Sequence, residues 1–256
     1  MRKRNVPHLR TFYRVVSNTL VIDLGSPKRV LSSAPQGGGL RSTRYILNHQ
    51  VDAHPVAPGL TTSVGKKRNP TGGDPVRYLG RLASTLGAED KSVGLMTAVP
   101  MKQLVMSREE SGGVWVECFA TVGVTNAVRA GEWPNAGSDR KRRTQVGTIN
   151  LILITNAALS SSAMVGVVQV ATESKTGILR DYAVPSWTGV PGATGTGTDA
   201  VVIACGLREQ GVRLSYSGTH TVIGAMVGRV VAECVTEGLA RAKRWTARAT
   251  HRSRPV

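Results

Sequence analysis

Four side chains in this sequence have the chemistry of general acids and bases. Three are the carboxylates Glu132, Glu173 and Asp199, and the fourth is the imidazole of His220. Such groups exchange protons with a reacting atom or activate a water molecule. Each also has a structural alternative, because Asp199 can cap its own turn, Glu173 can be a solvated helix residue and His220 can bond to a backbone carbonyl.

The loop before Asp199 favours a binding pocket. It runs from Pro191 to Ala200, alternates glycine with threonine, and leads into an apolar, strand-like segment. Glycine lets a backbone approach a ligand closely, and threonine hydroxyls donate and accept hydrogen bonds. A glycine-rich tight turn is the alternative. The residues concerned are Gly192, Gly195 and Gly197 together with Thr194, Thr196 and Thr198.

His220 begins a long helical pattern just downstream of this loop. The helix dipole disfavours an imidazolium at such a position, so the ring would be a neutral base. We therefore expect His220 and Asp199 to face one cleft, with their side chains within about 10 Å of each other. Glu173, on the polar stripe of another helical pattern, and Glu132 are the next acids expected in that cleft.

Several other segments suit ligand binding. Two strand-like segments end in the same Thr-Asn-Ala sequence, at Asn126 and Asn156, and an asparagine side chain there can hold amides. The adjacent glycines Gly37 to Gly39 either present backbone N–H groups to a ligand or form a plain turn. We find no metal-ligand cluster, phosphate-binding loop or dinucleotide fingerprint, so the sequence identifies no cofactor.

The hydrophobic pattern predicts an α/β fold: a single domain with a mixed central sheet flanked by helices. Segments 147–155 and 199–205 are apolar enough to be central strands. Segments 162–180 and 219–240 have the period of the major helices. Residues 40–50 also have the pattern of a helix.

The positive charge is concentrated outside the predicted core. The net charge is +17 over 256 residues, and its sources are residues 1–18, the Arg140–Arg143 run and residues 241–256. We therefore predict a basic N-terminal arm (1–18), one domain (19–240) and a basic C-terminal tail (241–256). Such runs are usually solvated, and no nucleic-acid-binding motif accompanies them, which disfavours a nucleic-acid partner.

Hydropathy and cysteine usage indicate the compartment. No apolar segment approaches twenty residues, so no membrane span is predicted. Cys118, Cys205 and Cys234 are odd in number and far apart in sequence. We interpret them as reduced thiols of a cytoplasmic protein.

Several short segments between about residue 28 and residue 235 form a specific combination. They are Ser32-Ser-Ala-Pro35, Gly38-Gly-Leu-Arg41, Val93-Gly-Leu-Met-Thr-Ala-Val99, Thr121-Val-Gly-Val-Thr-Asn-Ala-Val-Arg-Ala-Gly131, Gly147-Thr-Ile-Asn150, Thr155-Asn-Ala157, Ala171-Thr-Glu-Ser-Lys-Thr176, Ala193-Thr-Gly-Thr-Gly-Thr-Asp-Ala200 and Ser217-Gly-Thr-His-Thr221. Together they resemble the adenosylcobinamide amidohydrolase family of corrinoid salvage. Both termini and the Arg140–Arg143 run lie outside the resemblance.

The resemblance implies an amide hydrolase acting on adenosylcobinamide. It would cleave the amide between the corrin propionate and aminopropanol, giving adenosylcobyric acid and 1-amino-2-propanol. Water, a threonine or another nucleophile could attack, and complete cobamides could also be substrates. Because the corrin rim carries many amides, we expect its contacts among Gly38, Gly39, Asn126, Arg129, Asn150, Asn156, Thr194, Thr196 and Thr198.

The alternative function is binding without catalysis, by a corrinoid-binding protein or a basic nucleic-acid-associated protein. Cobinamide carries no phosphate and its cobalt is cationic, so this substrate does not account for the charge of +17. Homo-oligomerisation stays open.

Overall fold

A computed structural model describes residues 9–51, 74–88, 91–133, 147–207, 209 and 211–252 of the chain, with side chains as far as residue 242. Residues 51–73, whose prolines Pro55, Pro58 and Pro70 predict an extended loop, lie almost wholly outside these ranges. The Arg140–Arg143 run and the first eight residues of the predicted basic arm also lie outside them.

The strands of the described residues are β1 Phe12–Val16, β2 Thr19–Ser32, β3 Gly39–Gln50, β4 Val93–Thr97, β5 Val105–Ser111, β6 Val114–Val122, β7 Ala127–Val128, β8 Ile149–Thr155, β9 Ala158–Leu159, β10 Gly195–Thr196, β11 Ala200–Cys205 and β12 Arg213–Leu214. Eight of them form one sheet in the order β4-β3-β2-β11-β8-β6-β5, with β1 paired to β2. The β3–β4 and β8–β11 pairs of this sheet are parallel and the others antiparallel, so the sheet is mixed, as predicted. The short ladders β7–β10 and β9–β12 lie beside it.

In the described part of the chain three α-helices cover the sheet: α1 Pro75–Thr85, α2 Ser161–Asp181 and α3 Val222–Arg252. A short 3-10 helix spans Met101–Gln103. Asp74 caps α1 by accepting from two backbone N–H groups, and the Ser160 hydroxyl caps α2 by accepting from Ala163 N at 3.0 Å.

The sheet curls over itself, which creates two β layers between the helices. On one side, α2 and α3 pack against the outer face of β6, β8 and β11. Residues on the inner face of those strands, including Phe119, cluster with residues of β2, β3 and β4, including Leu20 and Leu95. Beyond them, Ala83 of α1 packs on Val21 and Leu47. The predicted α/β domain is confirmed, with helices on both outer faces.

A buried polar network joins the two β layers. The Asn150 amide donates to Asn48 Oδ1 and to the Met96 carbonyl, each at 2.9 Å. The Asn48 amide donates to Thr121 Oγ1 at 3.1 Å. Since buried amides need partners, this network fixes the stacking of β3 and β4 on β6 and β8.

Residues 40–50 form strand β3, so the predicted helix there is wrong. This strand pairs with β2 on one side and with β4 on the other. Ile46 and Leu47 are both buried, one between the β layers and the other beneath α1. The apolar run of this strand is only Tyr45, Ile46 and Leu47, and hydrophobic periodicity does not distinguish so short a run in a strand from one in a helix.

Segments of both predicted arms form regular elements of the fold. Residues 12–16 form β1, and the buried Glu117 carboxylate accepts from the backbone N–H groups of Arg10 and Thr11 at 2.5 and 3.2 Å. These contacts join residues 10–16 to the sheet. At the other end, α3 continues past residue 240 to Arg252.

Candidate active site

Asp199 and Lys175 form an ion pair at one end of the sheet. Lys175 Nζ lies 2.5 Å from Asp199 Oδ2, and the two side chains are 9% and 14% exposed. Asp199 also accepts from Ile149 N at 2.9 Å, from Thr196 N at 3.0 Å and from Thr196 Oγ1 at 2.5 Å. Four donors thus hold this carboxylate, and the pair has one defined geometry.

Three local features of the sequence position the pair. Asp199 immediately precedes β11, whose parallel partner β8 begins at Ile149. Lys175 lies on the buried side of α2, four residues after Ala171 and therefore one helical turn along the same face. A methyl group on Gly195 would overlap Asp199 Oδ2 and lie 2.8 Å from Lys175 Nζ, so a larger residue at this position would displace the ion pair.

The ion pair opens onto a cleft of about 410 Å³ between α2, the end of β2 and the start of β11. Its apolar wall comes from α2 and the two strands, and Ser32 and Ser33 contribute hydroxyls. The Ser33 hydroxyl accepts from Val201 N at 3.0 Å. The lining residues are Leu31, Ser32, Ser33, Val165, Val168, Thr172, Lys175, Asp199 and Val201.

His220 lies at the opposite end of the sheet from Asp199. The Ser217 hydroxyl, three residues before His220, donates to the Ala163 carbonyl in the first turn of α2. Lys175 is twelve residues further along that helix, about 18 Å at 1.5 Å per residue. The exposed His220 is absent from the residues lining the Asp199 cleft. The prediction that His220 and Asp199 share a cleft is therefore wrong.

Glu173 and Glu132 hold other parts of the structure. Glu173 is exposed on α2 and accepts from Gln169 Nε2 at 2.9 Å. Glu132 accepts from Arg129 N and from the side chains of Ser186, Trp187 and Thr188, at 2.8–3.1 Å. Its carboxylate joins the loop after β7 to the loop after α2. The structure thus gives neither glutamate a place beside the Lys175–Asp199 pair.

The hydrogen bonds of Glu132 make stability depend on pH. Burial acts to raise the Glu132 pKa, but bonds from Arg129 N, Ser186, Thr188 and Trp187 outweigh it and lower the pKa below 4.5. A carboxyl group whose pKa is lower in the folded state stabilises the protein at pH values above its pKa in the unfolded state. This stabilisation is lost as the pH falls through the pKa of the folded state. Glu132→Gln should therefore be less stable than the wild type near neutral pH, with the difference shrinking below pH 4.5.

Thermal unfolding of both proteins at a series of pH values measures this effect. Glu173→Gln is the matched control, because that exposed carboxylate accepts one side-chain hydrogen bond, from Gln169, and surface changes of this kind have small effects. A stability difference for Glu132→Gln that stays constant with pH would contradict the assignment.

Two of the three predicted asparagine contacts are engaged in hydrogen bonds within the protein. Asn150 is buried in the network between the β layers. The Asn156 amide accepts from Trp115 N at 2.9 Å and donates to the Gly113 carbonyl at 2.8 Å, which fixes the β5–β6 hairpin. Asn156 also follows the far end of β8, about 20 Å from Ile149 at 3.3 Å per residue. Neither side chain is free to bind a corrin amide at the Asp199 cleft.

The remaining predicted contacts lie nearer to Asp199. Asn126 Oδ1 is buried and has no hydrogen-bond partner among the described residues, and Asn126 adjoins β7, which pairs with β10. Arg129 is exposed. Gly39 pairs with Ser32, which pairs with Val202 of β11, so Gly38 and Gly39 belong to the same end of the sheet.

The loop threonines are held by backbone and carboxylate groups. Thr194 Oγ1 accepts from Ala130 N at 2.8 Å, and Thr198 Oγ1 donates to the Gly147 carbonyl at 3.2 Å. Thr196 is buried and bonds to Asp199. The glycine- and threonine-rich loop therefore shapes the carboxylate site as well as the cleft edge.

Lys175 is the residue that reasoning from the sequence missed. It lies within the quoted Ala171–Thr176 segment, but our interpretation of that segment chose Glu173 as its acid–base residue. The signal was available, because Lys175 interrupts the apolar stripe of α2 between the buried residues Ala171 and Leu179. A lysine at a core position requires a partner, which directs attention to a nearby carboxylate.

Other site classes find little support in the described ranges. No group of three or more His, Cys, Asp or Glu residues there could hold a metal ion. No helix among them is long and apolar enough to span a membrane. Cys118, Cys205 and Cys234 are free and buried, and burial raises the pKa of the Cys205 and Cys234 thiols, which makes these two poor nucleophiles.

Comparisons with known proteins extend the resemblance beyond the quoted segments. The family model described as adenosylcobinamide amidohydrolase matches residues 3–247, which includes most of both termini and the Arg140–Arg143 run. The adenosylcobinamide amidohydrolase of Methanosarcina mazei is 28% identical over 234 residues, covering 89% of this chain and 96% of that protein. The one from Halobacterium salinarum is 33% identical over 158 residues, covering 61% and 62%.

An uncharacterised protein of Methanocaldococcus jannaschii is 29% identical over 239 residues, covering 87% of this chain and 86% of that protein. Among solved structures, a beta-aminopeptidase of Burkholderia sp. aligns with a TM-score of 0.47 and 11% identity, covering 90% of this chain and 79% of that one. The family match spans nearly the whole sequence, so the chain belongs to the adenosylcobinamide amidohydrolase family.

Proposed function

We propose that this protein hydrolyses adenosylcobinamide at the amide between the corrin propionate and aminopropanol. The products are adenosylcobyric acid and 1-amino-2-propanol, and the reaction belongs to corrinoid salvage inside the cell. Membership of the family supports the substrate. The observation that carries the proposal is the buried Lys175–Asp199 pair facing a cleft, because a fixed hydrogen-bond donor or positive charge where the oxyanion develops accelerates amide hydrolysis.

The volume and the apolar wall of the cleft suit the aminopropanol amide side chain of the substrate. A volume of about 410 Å³ is near the lower end of the range for small-molecule sites. It accommodates an aminopropanol amide and leaves the macrocycle outside, against exposed surface such as Val165, which is 60% exposed. The apolar wall of the cleft contacts the aliphatic part of the aminopropanol side chain, and the ion pair at the end of the cleft contacts the polar amide.

Product formation tests this proposal directly. We expect the purified protein to convert adenosylcobinamide into adenosylcobyric acid and aminopropanol, both detected by mass spectrometry. Asp199→Asn should lower turnover by at least about 10²-fold, since neutralising the residue that orients a catalytic group has effects of this order or larger. Arg180→Gln, in the exposed last turn of α2, is the control and should retain wild-type turnover.

The result also separates catalysis from binding. A protein that binds adenosylcobinamide but forms no product, in aerobic and in anaerobic reducing buffers, is a corrinoid-binding protein and the proposal fails. If Asp199→Asn keeps full turnover, the reaction occurs elsewhere on the molecule.

A further inference from the structure

The Asp199 carboxylate is fully occupied by hydrogen-bond donors. Oδ1 accepts from Ile149 N and Thr196 Oγ1, and Oδ2 accepts from Thr196 N and Lys175 Nζ. A carboxylate has about four lone-pair positions for such bonds. Asp199 is therefore poorly suited to take a proton from water or to attack a carbonyl, although the sequence suggested it as an acid or base.

Lys175, unlike Asp199, has hydrogen-bonding capacity left for a bound molecule. An ammonium has three N–H donors, and in the described part of the chain Asp199 is the one hydrogen-bond partner that the structure shows for it. The side chain lines the cleft, so up to two donors are available to a molecule bound there. Asp199 balances the positive charge and fixes its position, as preorganised electrostatic stabilisation requires.

We propose that Lys175 is the catalytic residue that binds the oxygen of the scissile amide and stabilises its negative charge in the transition state. This inference rests on the proposed hydrolysis. The water oxygen bonds to the carbonyl carbon, and the carbonyl π electrons move to the oxygen held by Lys175. When this intermediate collapses, the C–N bond breaks, and the protons of the water pass to the amine. A carboxylate and an alkylammonium result.

Asp199, Thr196 and Gly195 are positioning residues in this scheme. Thr196 donates to Asp199 through both its hydroxyl and its backbone N–H, which orients the carboxylate. Gly195 leaves the space in which the two charges meet. These residues act on the substrate through Lys175.

The test compares kcat, KM and substrate affinity in variants of Lys175. Lys175→Met has a similar length and no charge, and we expect it to lower kcat by about 10²–10³-fold, the effect of losing an oxyanion donor. Its KM and its Kd for adenosylcobinamide should stay close to those of the wild type. Lys175→Ala should regain part of its kcat in ethylammonium chloride but none in sodium chloride of equal ionic strength. Lys175→Met should not be rescued, because its side chain fills the space.

The outcomes distinguish this inference from the proposed function. No product with the wild type overturns both. Wild-type product with an undiminished kcat in Lys175→Met overturns the inference alone, as does a loss confined to KM and Kd. If Lys175→Met does not fold, Lys175→Gln, whose amide can still donate to Asp199, replaces it and should lower kcat, because a neutral amide stabilises an oxyanion less than an ammonium does.

Discussion

Asp199→Ala is expected to lower the free energy of unfolding by about 3–5 kcal/mol, because it leaves a buried ammonium without its counter-charge. The Lys175 and Asp199 side chains are 9% and 14% exposed, and their charged atoms are 2.5 Å apart. The change also leaves the backbone N–H groups of Ile149 and Thr196 without their acceptor. Equilibrium unfolding in urea measures the effect.

A double-mutant cycle gives this prediction its control. Lys175→Met combined with Asp199→Ala removes both charges, so it should be more stable than the sum of the single effects implies, by about 1–3 kcal/mol. Strict additivity would show that the two charges do not interact in the folded protein. A cost below about 1 kcal/mol for Asp199→Ala, typical of an exposed pair, would show that the site is open to water.

Phe119→Ala is expected to cost about 3–5 kcal/mol, the usual range for removing a buried aromatic side chain from a core. Phe119 is 1% exposed and belongs to the cluster between the two β layers. Its ring also meets Tyr13 edge-on, with centroids 5.3 Å apart. Denaturant unfolding monitored by circular dichroism measures the change.

Two other substitutions calibrate the Phe119 result. Phe119→Leu keeps most of the volume and should cost clearly less. Tyr13→Ala should also cost less, because Tyr13 is 40% exposed. If Phe119→Ala stayed within about 1 kcal/mol of the wild type, the packing of β2, β3 and β4 over β6, β8 and β11 would be wrong.

The sequence predicted those elements whose own pattern decides their structure. The three isoleucines of β8 favour a strand, the long periodic segments of α2 and α3 favour helices, and the structure places all three accordingly. The helix predicted over 40–50 failed because β3 is paired along both edges, with the preceding strand β2 and with β4, where Ile46 lies opposite Val93. Such partners leave no local signal, and tertiary packing then overrides local propensity.

At the candidate site, too, the sequence predicted one residue from its local pattern and missed another that depends on the tertiary structure. Asp199 could be singled out because a glycine- and threonine-rich loop leads into a strand. The ion-pair partner of Asp199 is set by the direction of α2, which runs antiparallel to β8 and β11. This direction brings Lys175 to the start of β11, whereas His220 lies at the opposite end of the sheet. Sequence proximity suggested His220, whereas the three-dimensional arrangement brings Lys175 to the carboxylate.

The topology also affects how this chain folds during synthesis. Strand β2 pairs with β11, and roughly 170 residues separate them in sequence. At bacterial and eukaryotic translation speeds, the edge of β2 that binds β11 waits about 10 to 30 s for its partner. Until then the N-terminal strands have an unpaired edge and an uncovered apolar face, which other chains can bind. Because β2 pairs with β11, the N-terminal half of the nascent chain must be kept from binding other chains until the second half has been synthesised.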